Sequence, residues 1–275
     1  MFNVRIKTFY DSEQIQIYSR PQRSKGDVYK MQIDIETGEI FPPLSKDRLY
    51  EFDDGTTLEG HEVEGFTTTE ECFRRSRNRT IKSIYDIARS DAWEWFFTLT
   101  FTKEKIDRYD YSQVSKKLSY WLNNMRKKCP DMKYIVVPEQ HADGAWHFHG
   151  LFKDVEELDF RFSGHYDKKG RKIFNCLSYK WGFTTATEIT DYRKASSYLC
   201  KYITKELCLN TSGKKRYWVS RNVKRPKVEE LLIDGEYLNL ALLECMEPDA
   251  FLKNIDGYVG INYVDQSIPQ THQGL

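Results

Sequence analysis

The stretch from Trp95 to Lys153 leaves the fewest folds open. Trp95-Phe96-Phe97-Thr98-Leu99-Thr100-Phe101 is dominated by aromatic and β-branched residues, the composition of a central strand. In residues 111–128, Val114, Leu118, Trp121, Leu122 and Met125 fall at i, i+4, i+7, i+8 and i+11. That is one apolar face of a helix, and Pro130 ends it. Met132–Glu139 and Ala145–Lys153 read as two further strands with an Asp143-Gly144 turn between them. Phe183–Ile189 reads as a fourth strand, Asp191–Leu207 as a helix and Arg216–Val223 as a fifth strand. This order predicts an α+β fold of the split β-α-β kind: an antiparallel central sheet with helices packed on one face.

Around this centre the reading is coarser. Glu71–Arg89 predicts a basic helix with Phe73, Ile81, Ile84, Tyr85 and Ala88 as apolar positions. Residues 1–70 read as a β-rich N-terminal extension, with alternation at Val4, Ile6, Phe9, Ile15 and Ile17 and a turn at Asp53-Asp54-Gly55. The expected organisation is therefore 1–70 as that extension, 71–225 as the main domain, and 226–275 as an acidic C-terminal appendage.

The chain has 275 residues, 40% of them hydrophobic and 15% aromatic, enough for a sizeable core. Its formal charge of +1 announces no polyanion partner in bulk, but the cations are clustered. Arg74, Arg75, Arg77, Arg79, Lys82 and Arg89 form one run. Lys201, Lys205, Lys214, Lys215, Arg216, Arg221, Lys224, Arg225 and Lys227 form another. Two such runs flanking a reactive centre suggest a path for a polyanion. The six cysteines make no C-x-x-C pair, Met1-Phe2-Asn3-Val4-Arg5 opens no signal-like apolar stretch, and no apolar run approaches the roughly 20 residues of a membrane span. A cytoplasmic protein with inert thiols and no membrane partner is expected.

His147 and His149 sit two apart on the third predicted strand, so both point to one side of it and can converge on a metal ion. Two imidazoles alone hold a divalent ion weakly. Glu139, at the end of the preceding strand, and His141 and Asp143, in the loop, are the candidates for a third ligand. Register decides among them. A two-residue Asp143-Gly144 loop would pair Gln140 with His147 and turn Glu139 away. A three-residue Ala142-Asp143-Gly144 loop, with Gly144 left-handed in a bulge, pairs Glu139 with His147. The set Glu139, His147 and His149 could describe an open iron oxygenase site. It also suits Mg²⁺ or Mn²⁺ held against a phosphate. The Asp-His that His-x-His zinc hydrolases add is absent.

Downstream, Tyr198 and Tyr202 are four apart in the predicted helix, with Lys201 beside them and Lys205 a further turn on. A phenol is a poor nucleophile at neutral pH. A neighbouring ammonium and a metal-polarised phosphate both lower the barrier to its attack.

Phe96-Phe97-Thr98-Leu99-Thr100-Phe101, His147-Phe148-His149 and Tyr198-Leu199-Cys200-Lys201, in this order, resemble the three motifs of the HUH endonucleases. The resemblance is to the rolling-circle replication initiators of bacterial plasmids and small single-stranded DNA phages, and it spans roughly residues 71–225. It implies an RRM-like sheet and a metal-dependent nick of single-stranded origin DNA. One tyrosine becomes linked to the 5′ phosphate and a free 3′ hydroxyl primes synthesis. Tyr202 adds the Tyr-x-x-x-Tyr pattern of two-tyrosine members, while single-tyrosine members also carry a nearby aromatic, so its role stays open. On this reading Tyr198, Tyr202 and Lys201 are catalytic and Glu139, His147 and His149 hold the metal. Arg74, Arg75, Arg77, Arg79, Lys205, Lys214, Lys215, Arg216 and Arg221 would contact DNA. Tyr192, Tyr217 and Trp218 are either base-stacking or core residues. No G-x-x-x-x-G-K-[ST] loop occurs, so a host helicase and polymerase are the expected partners. The rival readings are a mobilisation relaxase or transposase of the same superfamily, or a non-catalytic DNA-binding module.

Overall fold

The structure, a computed structural model, describes residues 2–22, 32–33, 40–41, 49–51, 57–59, 69–211, 213–233, 246–255 and 260–268. The chain divides into two compact units. One comprises Met1–Ile6, Gln14–Cys72 and Val228–Gln266; the other comprises Lys7–Glu13, Phe73–Lys227 and Ser267–Leu275. The two terminal stretches thus contribute to the same unit.

In the first unit, β1 (Phe2–Thr8), β2 (Ser12–Gln22), β14 (Lys227–Leu231), β15 (Phe251–Ile255) and β16 (Ile261–Ser267) form a sheet in the order β14-β1-β2-β16-β15. The alternation expected around Val4, Ile15 and Ile17 is there, and these side chains form a small core with Val264. Arg5 pairs with Glu230 at 2.7 Å. The short strands β3 (Gln32–Ile33) and β4 (Ile40–Phe41) pair, as do β5 (Leu49–Glu51) and β6 (Thr57–Glu59). The Asp53-Asp54-Gly55 turn lies outside the described residues.

The second unit is built on a seven-stranded antiparallel sheet. Its strands are β7 (Trp95–Phe101), β8 (Lys133–Gln140), β9 (Trp146–Lys153), β10 (Phe160–Tyr166), β11 (Lys172–Cys176), β12 (Gly182–Glu188) and β13 (Trp218–Val219). They run in the order β10-β11-β12-β7-β9-β8-β13. The expected α+β class with an antiparallel central sheet is what forms. Phe97, Leu99 and Phe101 point to one face of β7 and are at most 1% exposed; Phe96, Thr98 and Thr100 point to the other.

Helices pack on both faces rather than one. Helix α2 (Tyr111–Lys128) covers the Phe97 face, where Trp121 meets Phe152 and Tyr111 meets Trp146. Asp110 caps it by accepting from the Ser112 and Gln113 N–H groups, and Arg126, Lys127 and Lys128 complement the dipole of its last turn. Helix α3 (Tyr192–Cys200) lies on the opposite face, where Tyr198 meets Phe96. Helix α1 (Thr69–Ala88) backs α3, with the Ser196 hydroxyl donating to the Ala88 carbonyl at 2.8 Å. Ile81, Ile84 and Ala88 face the core as expected; the Phe73 side chain lies outside the described residues.

Three expectations need correction. The helix expected over Asp191–Leu207 is two helices, α3 and α4 (Lys205–Asn210). The N–H groups of Lys201, Tyr202 and Ile203 bond three residues back, which tightens the chain out of α3. Thr204 then caps α4, its hydroxyl accepting from the Leu207 N–H at 3.1 Å. The strand expected over Arg216–Val223 shrinks to Trp218–Val219, because only those residues pair with β8. Finally, the antiparallel pair β10–β11 was not anticipated.

Candidate active site

The register of the β8–β9 hairpin builds the site. Glu139 pairs with His147, Gln140 with Trp146 and Val137 with His149. The His141 N–H donates to the Ala145 carbonyl and the Gly144 N–H donates back to His141, closing the three-residue loop Ala142-Asp143-Gly144. Gly144 adopts φ +87°, the left-handed bulge position that this loop requires. The two-residue alternative does not form, and Glu139 shares a face with both histidines.

On that face the Glu139 Oε2 lies 2.6 Å from the His149 Nε2 and 3.3 Å from the His141 Nε2. A carboxylate only accepts, so His149 donates through Nε2. The other ring nitrogens are held by β7. Thr98 Oγ1 is 3.0 Å from His149 Nδ1, and Thr100 Oγ1 is 3.2 Å from His147 Nδ1. The threonines occupy these places because Thr98 pairs with His149 and Thr100 with His147 across β7 and β9. The His147 ring stacks on His141, centroids 3.7 Å apart and 4° from parallel.

Electrostatics follow from burial and these neighbours. Burial pushes His147 down to about 4, helped by His141 and His149 nearby, so its imidazole is neutral at neutral pH. Burial would raise Glu139, but the His149 hydrogen bond and the surrounding imidazoles outweigh it and hold the carboxyl below its ordinary range.

An anionic oxygen, a neutral imidazole and ring nitrogens fixed from behind are a donor set that fits a divalent cation. The donor atoms are not drawn together, however. Among the described residues, the group whose possible ligand atoms all lie within 4.8 Å is Glu94, Asp154 and Glu156, outside the hairpin loop. Glu139 with its histidines is more open than that, and His141 lies closer to Glu139 than sequence spacing alone could establish.

The tyrosines sit on the same face. The Tyr202 ring stacks on His149, centroids 3.8 Å apart and 6° from parallel. Tyr198 meets Tyr202 edge to face at 5.4 Å and Phe96 at 5.5 Å. Tyr198 is 47% exposed, and the Lys201 Nζ is 5.5 Å from its ring centroid. Burial, a hydrogen bond with Tyr198 and the negative Glu139 together keep Tyr202 protonated well above the ordinary phenol range. Tyr202 lies past the end of α3, so the pair is brought together by the tightened turn and not by one continuous helix.

The basic residues divide into two sets. Arg74, Arg75, Arg79, Lys214, Lys215 and Arg221 are exposed. Arg77 and Arg216 serve the fold instead, because their guanidinium groups satisfy carbonyls that α3 and α4 leave open. The Arg77 Nε donates to the Ile203 carbonyl at 3.0 Å, and Arg216 donates to Ser76 at 2.7 Å and to the Cys208 carbonyl at 3.1 Å. Arg89, grouped with them in sequence, is buried, with its guanidinium 4.6 Å from the Phe9 ring. The side chains of Lys205 and Tyr192 lie outside the described residues. Trp218 is a core residue, 3% exposed, with its indole N–H on Ser119. Ser76, Thr80 and Lys214–Tyr217 line an open cleft of about 530 Å³.

No curated protein and no solved structure matches the chain. Residues 94–207 match a family model for replication-associated proteins of the ORF2 type. That span carries Thr98, Thr100, Glu139, His147, His149, Tyr198, Lys201 and Tyr202, so the part of the chain that holds the candidate site is the part similar to replication-associated proteins.

Proposed function

We propose that this protein is a replication initiation endonuclease of the HUH type, which nicks and rejoins single-stranded origin DNA through a 5′-phosphotyrosine to start rolling-circle replication. The observation that carries this reading is the stacking of Tyr202 on His149 with Tyr198 against it, which sets two phenols beside a carboxylate–imidazole cluster. Neither a bare metal site nor a DNA-binding module needs that arrangement.

Glu139, His147 and His149 would hold the ion, with His141 at the Glu139 carboxylate. Mg²⁺ or Mn²⁺ there supplies a charge that polarises the scissile phosphate. Thr98 and Thr100 keep the imidazoles oriented. Tyr198 is the first nucleophile because it is the exposed phenol, open to a strand lying over the sheet. Its oxygen forms the new bond to phosphorus, the phenolic proton leaves, and the P–O3′ bond breaks to give a 3′ hydroxyl. Lys201 places a positive charge where the attacking oxygen and the phosphate gather negative charge. Tyr202 is the second nucleophile, for the rejoining step. A host helicase would unwind the duplex and a host polymerase would extend the 3′ end.

The test is incubation with short single-stranded DNA and Mn²⁺, followed by a denaturing gel. A DNA-linked protein band that disappears in the His147→Ala, His149→Ala double variant is expected. Cleavage at full rate in that variant, or without metal, overturns the metal-dependent mechanism.

A further inference from the structure

The row of the sheet that carries the ligands continues past them. Glu139 pairs with His147, His147 with Thr100, and Thr100 with Phe183 on β12. Directly paired residues share a face, so Phe183 stands on the same face as the histidines, two strand spacings or about 10 Å from His147. It is 55% exposed and makes no ring contact among the described residues. This contrasts with the aromatics of the opposite face, where Phe160 stacks on Trp95 at 4.8 Å and Phe174 meets Trp95 at 5.4 Å. Those contacts turn Phe160 and Phe162 to the opposite face, so Arg161 between them points to the Phe183 face. Arg161 is exposed and has no ion pair among the described residues.

We infer that Phe183 is a stacking platform for an unpaired nucleobase next to the scissile phosphate, with Arg161 available to the strand's backbone. This deepens the nicking reading and rests on it. A phenyl ring left in water on a strand gains nothing for folding, whereas a base stacked on it removes both π faces from solvent. The spacing suits the role: a phosphate at Glu139, His147 and His149 leaves a base one nucleotide away within reach of Phe183. The contact discriminates single strands from duplex, because a paired base has no free face to offer.

The experiment measures binding in EDTA, so that no cleavage intervenes. The probes are fluorescein-labelled dT12 and a strand of equal length made only of abasic sugar-phosphate units. Phe183→Ala is expected to weaken dT12 binding about 5- to 150-fold and to leave abasic-strand binding unchanged. Phe183→Trp should keep the wild-type affinity for dT12. Equal dT12 affinity for wild type and Phe183→Ala overturns the platform, and so does an equal loss on both strands. If the wild type binds neither strand, the nicking reading itself fails, and the platform with it.

Discussion

At the scale of single residues, the site depends on hydroxyls that can act in either direction. With no cation present, His149 donates through Nε2 to Glu139, so the Thr98 hydroxyl donates to Nδ1. A ligating imidazole must free Nε2, and its proton then belongs on Nδ1, where the same hydroxyl can accept it. A carbonyl or carboxylate in that place could serve only the second arrangement. Thr98→Val together with Thr100→Val should therefore weaken Mn²⁺ binding about 10- to 100-fold, while serine at both positions keeps it. Titration of free Mn²⁺ by electron paramagnetic resonance reads this directly, and unchanged affinity in the valine variant would refute the role. The His-x-His pair was legible because strands have a period of two. The partnership with Thr98 and Thr100 was not, because it exists only across β7 and β9 and depends on their register. Basic residues carry no mark of burial in sequence, so Arg77 and Arg216 could not be told from their exposed neighbours. Cysteines were read as inert, and burial supports that for Cys129, Cys176, Cys200 and Cys208, whose thiols it pushes up, that of Cys200 to about 12. Peptide mapping after iodoacetamide at pH 8 should find these four unlabelled in the native protein, and ready labelling of Cys200 would contradict its burial.

At the scale of elements, the hairpin was legible and the tyrosine segment only partly so. Asp143-Gly144 permits two loops, and the demand that Glu139 face the histidines selects the one that forms. Nothing between Lys201 and Thr204 is glycine or proline, so no local signal marks the break between α3 and α4; the Thr204 cap makes it. The β10–β11 pair escaped notice because Gly164 and Gly170 interrupt a segment rich in charge. One position where strand geometry admits only glycine is Gly182, opposite Phe101 at the head of β12. A Cβ there would stand 1.9 Å from the Thr100 carbonyl oxygen. Gly182→Ala must push β12 and β7 apart next to the residue that holds His147. A loss of about 1–3 kcal/mol is expected, or a fall in Tm of roughly 2–12 °C. A thermal scan showing no change would mean that the strands separate freely there.

At the scale of the whole molecule, a net charge of +1 makes DNA affinity a matter of local surface. Arg74, Arg75, Arg79, Lys214, Lys215 and Arg221 are the exposed cations of the two basic runs singled out for DNA, and half to all of them engaged would give a log–log salt slope of roughly −2 to −4 on single strands. Arg75→Glu with Arg79→Glu should weaken binding and flatten that slope, whereas Arg77→Ala should lower Tm by removing its bond to the Ile203 carbonyl. Binding indifferent to salt between about 50 and 200 mM would mean these surfaces are merely solvated. The α+β class was legible from the strand–helix–strand order because its helix and strand periods are strong. The pairing of the terminal strands in one sheet was not, since β1 and β14 are separated by the whole second unit in sequence. The account as a whole turns on which phenol meets the phosphate, and mass spectrometry of the DNA-linked peptide decides it. The nucleotide is predicted on Tyr198 in the wild type, with the adduct lost in Tyr198→Phe and a first nick retained in Tyr202→Phe. A nucleotide on Tyr202 in the wild type, or an adduct at normal yield in Tyr198→Phe, would contradict the mechanism proposed for this site.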